Sequence, residues 1–66
     1  MERNGIGHRL RVARGVLSQA EVGKLLGIGK NTLSNYELEK TSPNADFIAR
    51  FCKALNVSPS WLQTGD

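Results

Sequence analysis

Cysteine, histidine, tyrosine and tryptophan occur once each in these 66 residues, and phenylalanine and proline only twice. One Cys with one His cannot complete a structural zinc site, and a lone Cys offers no disulfide framework, so the fold must stand on side-chain packing alone. No apolar run approaches the roughly 18 residues of a membrane span, and nothing near the amino end reads as a signal-peptide core. The expectation is a soluble, cytoplasmic protein without cofactor or metal. Lysines and serines are present, but none is paired with a base in a recognisable catalytic arrangement, so the chain does not read as an enzyme. Internal repeats and low-complexity segments are absent.

The 39% of hydrophobic residues suffice for one small helical core, near the lower size limit of what folds without staples. A single domain over residues 1–66 is expected, with Thr64-Gly65-Asp66 the start of a linker. Charge is uneven along it. Residues 1–30 carry Arg3, Arg9, Arg11, Arg14, Lys24 and Lys30 against Glu2 and Glu21, a balance of +4. Residues 31–66 carry Lys40, Arg50 and Lys53 against Glu37, Glu39, Asp46 and Asp66, a balance of −1. A net charge of +3 says little by itself, but its concentration in one half of the chain fits a surface that binds a polyanion.

The segment Ser18 to Glu37, SQAEVGKLLGIGKNTLSNYE, reads as two short helices joined at a glycine. Ser18 and Glu21 have the spacing of a capping box, and Leu17 with Val22 that of a hydrophobic staple. A helix over Gln19 to Leu26 follows, with Val22, Leu25 and Leu26 as its apolar stripe and Gly27 at its left-handed end. Only Ile28 and Gly29 separate this from Lys30, so the second helix leaves at a steep angle, as in a helix-turn-helix. On that second helix, 100° steps put Leu33 and Tyr36 on one side, and Asn31, Ser34 and Asn35 on the other with Lys30 flanking. Amide, hydroxyl and ammonium groups read base edges: Asn pairs bidentately with adenine, and Lys donates to guanine O6 and N7. The acids Glu37 and Glu39 come only after this polar run, leaving the face without a carboxylate to repel phosphate.

These residues, together with those at the end of the chain, resemble the Cro/phage-repressor type of helix-turn-helix domain. The matching pieces are LSQAEV at the first helix of the motif, the small Gly23 facing the second, Gly27 at the turn, NTLSNYE on the recognition helix and VSPSWLQTGD at the end. The chain looks closest to the amino-terminal domains of phage-type repressors that carry a carboxy-terminal self-cleaving peptidase domain. The resemblance implies double-stranded operator DNA as partner, bound as a homodimer. It also implies a phosphate contact from Gln19 and an ion pair between Arg14 and Glu37. Two departures stand out. Gly29 replaces the usual Ser or Thr cap of the recognition helix, and Leu38-Glu39 replaces a polar residue followed by Gly. A left-handed residue after the recognition helix is therefore expected to be strained or missing, and Leu38 projects to the outward side. The link between the first helix and Ser18 is also short for the family.

Elsewhere, Met1 to Gly5 reads as a frayed end, and Ile6, Leu10 and Ala13 form the stripe of a first helix ending near Arg14-Gly15. His8 lies off that stripe and is expected on the surface without a function. After a loop from Glu39 to Pro43, Asn44 caps a helix over Ala45 to Leu55. Its stripe includes Cys52, which is expected to be a small buried hydrophobe and not a reactive thiol. Ser58-Pro59 starts a short last helix, with Trp61 divided between closing the core and, as the resemblance implies, dimer contacts.

The expectation is an all-α domain of five short helices that acts as a DNA-binding transcriptional repressor by occlusion. Lys30, Asn31 and Asn35 would reach bases, Ser34 the groove wall, and Gln19 and Lys40 the backbone. The rival is a helical protein-interaction module of the antitoxin kind. Salt separates the two, because binding to phosphates weakens steeply with ionic strength and burial of an apolar patch does not.

Overall fold

Three short polar side chains start helices here. Ser18 Oγ accepts from the Glu21 N–H at 3.0 Å while Glu21 Oε1 accepts from the Ser18 N–H at 2.7 Å, a complete capping box. Asn44 Oδ1 accepts from the Phe47 N–H at 2.8 Å, and Ser58 Oγ from the Trp61 N–H at 3.3 Å, with Pro59 at the first helical position. The computed structural model describes residues 5–65, and the helices among them are α1 (Ile6–Arg14), α2 (Gln19–Leu26), α3 (Lys30–Glu37), α4 (Ala45–Leu55) and α5 (Pro59–Thr64). No strand occurs among these residues, so the fold is all-α. Of the expected frayed end Met1 to Gly5, residues 1–4, which include Arg3, lie outside the described residues, as does Asp66; Gly5 is not frayed but is the N-cap of α1, its carbonyl accepting from the Arg9 N–H at 3.2 Å. Thr64 is the last residue of α5 and Gly65 its left-handed cap.

Every helix contributes one side chain with no exposed surface at all: Leu10, Val22, Leu33, Phe51 and Leu62. Burying each is worth about 1.5–3 kcal/mol, an upper estimate because unfolded chains already cover part of that area. Phe47 bridges the centre, its ring centroid 4.7 Å from Tyr36 and 5.6 Å from Phe51 in tilted contacts. Trp61 is half-buried against this core. Cys52 is buried within it, and burial pushes its thiol pKa up, which keeps the sulfur protonated.

Leu25 does not join the core; it is 60% exposed. The buried arc of α2 runs through Val22, Gly23 and Leu26, and Leu25 falls on the flank beside Lys53 and Ala54, where no further helix covers it. Gly23 instead lies where the two motif helices meet. A β-carbon there would stand 2.7 Å from the Ile28 carbonyl oxygen, so the close approach of the turn requires glycine. Gly27 takes the left-handed conformation at φ 72°, and the Ile28 N–H closes onto the Gly23 carbonyl at 2.9 Å.

The left-handed residue after α3 is present, and it is Glu39, at φ 60°. The Glu39 N–H reaches the Tyr36 carbonyl at 3.1 Å and the Lys40 N–H the Asn35 carbonyl at 2.9 Å, the two bonds of a Schellman ending. A non-glycine residue pays about 1–2 kcal/mol for that conformation. An offsetting gain is visible: Glu39 Oε2 accepts from the Gly7 N–H at 2.9 Å, in the first turn of α1, whose own N-cap Gly5 has no side chain to offer. Strain at one helix end is thus coupled to capping at another.

Two substitutions separate these terms. Glu39→Ala keeps the strain and loses the cap, and Glu39→Gly loses both. Urea denaturation should find Glu39→Gly more stable than Glu39→Ala by about 1 kcal/mol. Equal stabilities would mean that the positive φ carries no strain.

Candidate nucleic-acid interface

The carboxylate of Glu37, at the end of α3, is buried to 2% exposure and fully engaged. Arg14 of α1 meets it through two parallel bonds, Nε to Oε2 at 2.8 Å and Nη2 to Oε1 at 3.0 Å. The Nη1 group of Arg14 donates to the Leu17 carbonyl at 2.9 Å. Gln19, in the first turn of α2, donates its Nε2 to Glu37 Oε1 at 2.9 Å. Three helices therefore meet on one buried anion, and the fork of Arg14 fixes their mutual angle. The pair that the family resemblance implies is present despite the short link before Ser18.

This anchor fixes which side of α3 looks outward. Leu33 and Glu37 are buried, Tyr36 is half-buried against Phe47, and Lys30, Asn31 and Thr32 are exposed. Ser34 and Asn35 are half-buried on the flanks of the same outward side. The structure thus brings Lys30, Asn31, Ser34 and Asn35 together on one surface with no carboxylate of the described residues on it. Lys40 is exposed two residues beyond Leu38, on the loop that leaves α3. Gln19 stands apart from this set. Its amide is spent partly on Glu37, leaving its oxygen and one N–H for any outside partner.

Both acids near this surface are turned away from it, Glu37 inward to Arg14 and Glu39 back to α1. The N-terminus of α3 has no side-chain cap, since Gly29 supplies none. A helix start of this kind with Lys30 beside it favours an anion.

Several residues with structural or exposed roles were missed in the sequence reading. Thr32 is exposed on the first turn of α3, and its place on the 100° wheel was the available signal. Arg9 ties α1 to the end of α5, with Nε to the Leu62 carbonyl at 2.6 Å and Nη2 to the Gln63 carbonyl at 3.0 Å. Arg50 reaches the Leu26 carbonyl at 3.3 Å, over the end of α2. None of these three bonds has a local sequence signal, because each spans more than 20 positions.

The helix-turn-helix family model matches residues 9–62. The chain belongs to the helix-turn-helix family. It is 36% identical over 63 residues to the Repressor protein C2 of Salmonella phage P22, covering 92% of this chain and 29% of that protein. It is 37% identical over 59 residues to the HTH-type transcriptional regulator ImmR of Bacillus subtilis (strain 168), covering 86% of this chain and 46% of that one. The chain thus spans less than half the length of these curated relatives. Among solved structures, the P22 c2 repressor in complex with a synthetic operator superposes with a TM-score of 0.87 at 35% identity, covering 97% of this chain and all of that one. The N-terminal DNA binding domain of SinR from Bacillus subtilis gives 0.78 at 28% identity, covering 86% of this chain and 87% of that one. The helix-turn-helix expected at Ser18 to Glu37 is α2, Gly27 and α3.

Removing Arg14 from this arrangement strands a buried carboxylate. Arg14→Ala should destabilise the domain by about 3 kcal/mol. Arg14→Ala combined with Glu37→Gln should cost less than the sum of the single changes, because the lone charge is gone. Strictly additive losses in urea melts would show that the two side chains do not act as a pair.

Proposed function

We infer that this domain reads a specific site on double-stranded DNA and regulates transcription as a phage-type repressor, by occluding the site it occupies. The observation that carries this reading is the outward side of α3, where ammonium, amide and hydroxyl groups stand together and both neighbouring carboxylates are turned away. Relatives named as a repressor and a transcriptional regulator, and a solved neighbour bound to operator DNA, support it.

In this reading α3 lies in the major groove. Asn31, near the helix start, offers a donor and an acceptor to adenine N7 and N6, Lys30 and Asn35 reach neighbouring bases, and Ser34 meets the groove wall. Gln19 and Lys40 hold the backbone on either side, Gln19 through the amide groups that Glu37 leaves free. One such domain reads a half-site, so two copies sit on a pseudo-palindrome with half-sites about one helical turn apart. The five helices act as a single domain around one core. The domain carries no catalytic activity and works in the cytoplasm; among the described residues no helix is long and apolar enough to cross a membrane.

One titration series tests this, on a site selected from random duplexes and on scrambled DNA at fixed salt. Asn31→Ala should weaken the selected site by about 1–3 kcal/mol and leave scrambled DNA nearly unchanged. Lys40→Ala should weaken both about equally and lower the salt slope by about one. An equal loss on both DNAs for Asn31→Ala would reduce Asn31 to a backbone contact. No loss on either would remove α3 from the groove.

A further inference from the structure

Leu38 is 60% exposed, a large apolar side chain at the outward end of α3. It follows Asn31 by seven positions, two helical turns, and 100° steps place it on the same side as Asn31 and Asn35. Its backbone is helical, at φ −85° and ψ −2°, and its N–H is bonded to the Ser34 carbonyl at 2.9 Å. The Schellman bonds of Glu39 and Lys40 lock the chain immediately after it, so Leu38 is presented on a rigid backbone. A shallow hollow beside it is lined by His8, Arg11, Glu37 and Glu39. Arg11 is exposed, Glu37 is buried on Arg14, and Glu39 is exposed with its Oε2 held by the Gly7 N–H. Leu38 therefore stands beside Arg11 and Glu39, at the end of the surface that the functional reading lays against DNA.

What an exposed leucine meets there is decided by chemistry. Against a phosphate it would strip water from an anion and offer no donor in return, which is unfavourable. The major groove presents one apolar group, the C5 methyl of thymine. We propose that Leu38 is a specificity-determining residue that packs on a thymine methyl in each half-site, beside the base pair read by Asn35. The inference rests on the reading of α3 as the groove-bound helix. It assigns to an apolar contact part of the selectivity that polar side chains alone would not supply.

Replacing thymine by deoxyuridine deletes the methyl and leaves every base-pairing and groove hydrogen bond in place. Each thymine of a selected site is replaced in turn, and binding is measured for the wild type, Leu38→Ala and Asn31→Ala at one salt concentration. One replacement per half-site should weaken wild-type binding about three- to tenfold, the worth of a buried methyl group. Leu38→Ala should be insensitive to that same replacement, while Asn31→Ala keeps the full sensitivity. Thermal melts of the variants should match the wild type, since both side chains are exposed. A selected site whose uracil sensitivity is the same in wild type and Leu38→Ala, or absent from both, overturns the role of Leu38 and leaves the reading of α3 standing. Failure to select any site overturns both.

Discussion

The buried carboxylate of Glu37 is the contact on which the rest depends. A charge with 2% exposure survives only if its lone pairs are filled, and here Arg14 from α1 and Gln19 from α2 fill them. Because the donors come from two other helices, satisfying the charge sets the angle of α3 against α1 and α2. Hydrophobic packing of Leu10, Val22 and Leu33 brings the same helices together but is indifferent to small rotations. The directional bonds remove that freedom, and the outward side of α3 becomes a defined surface.

A second consequence concerns charge. A surface that binds phosphate has to keep acids off it, yet two glutamates flank the end of α3. Glu37 is consumed in the three-helix junction and Glu39 in capping α1. The acids that would repel DNA are thus the residues that hold the motif in place. Glu39 accepts backbone strain to do so.

Much of this was legible in the sequence because the signals were local. Ser18 with Glu21, Asn44, and Ser58 with Pro59 announce helix starts through side chains that bond within three residues, and Gly27 announces an end. The family resemblance added the Arg14–Glu37 pair, which no local pattern contains. What stayed hidden was tertiary. Leu25 has the spacing of a core residue, but only knowledge of where α4 ends shows its flank to be open. The Glu39 cap and the Arg9 bonds to α5 join residues more than 30 positions apart. At Gln19 the resemblance pointed outward to phosphate, and the structure shows half of the amide facing inward to Glu37.

In the proposed function, the outward side of α3 distinguishes one duplex sequence from others. The most direct measurement is selection of binding sites from randomised duplex DNA, followed by titration of the selected and a scrambled duplex across a range of salt. A recurrent two-fold-symmetric site should emerge, bound at least about a thousandfold more tightly than scrambled DNA, with affinity for both falling steeply as salt rises. Equal affinity for the two duplexes, or binding that salt does not weaken, would contradict it.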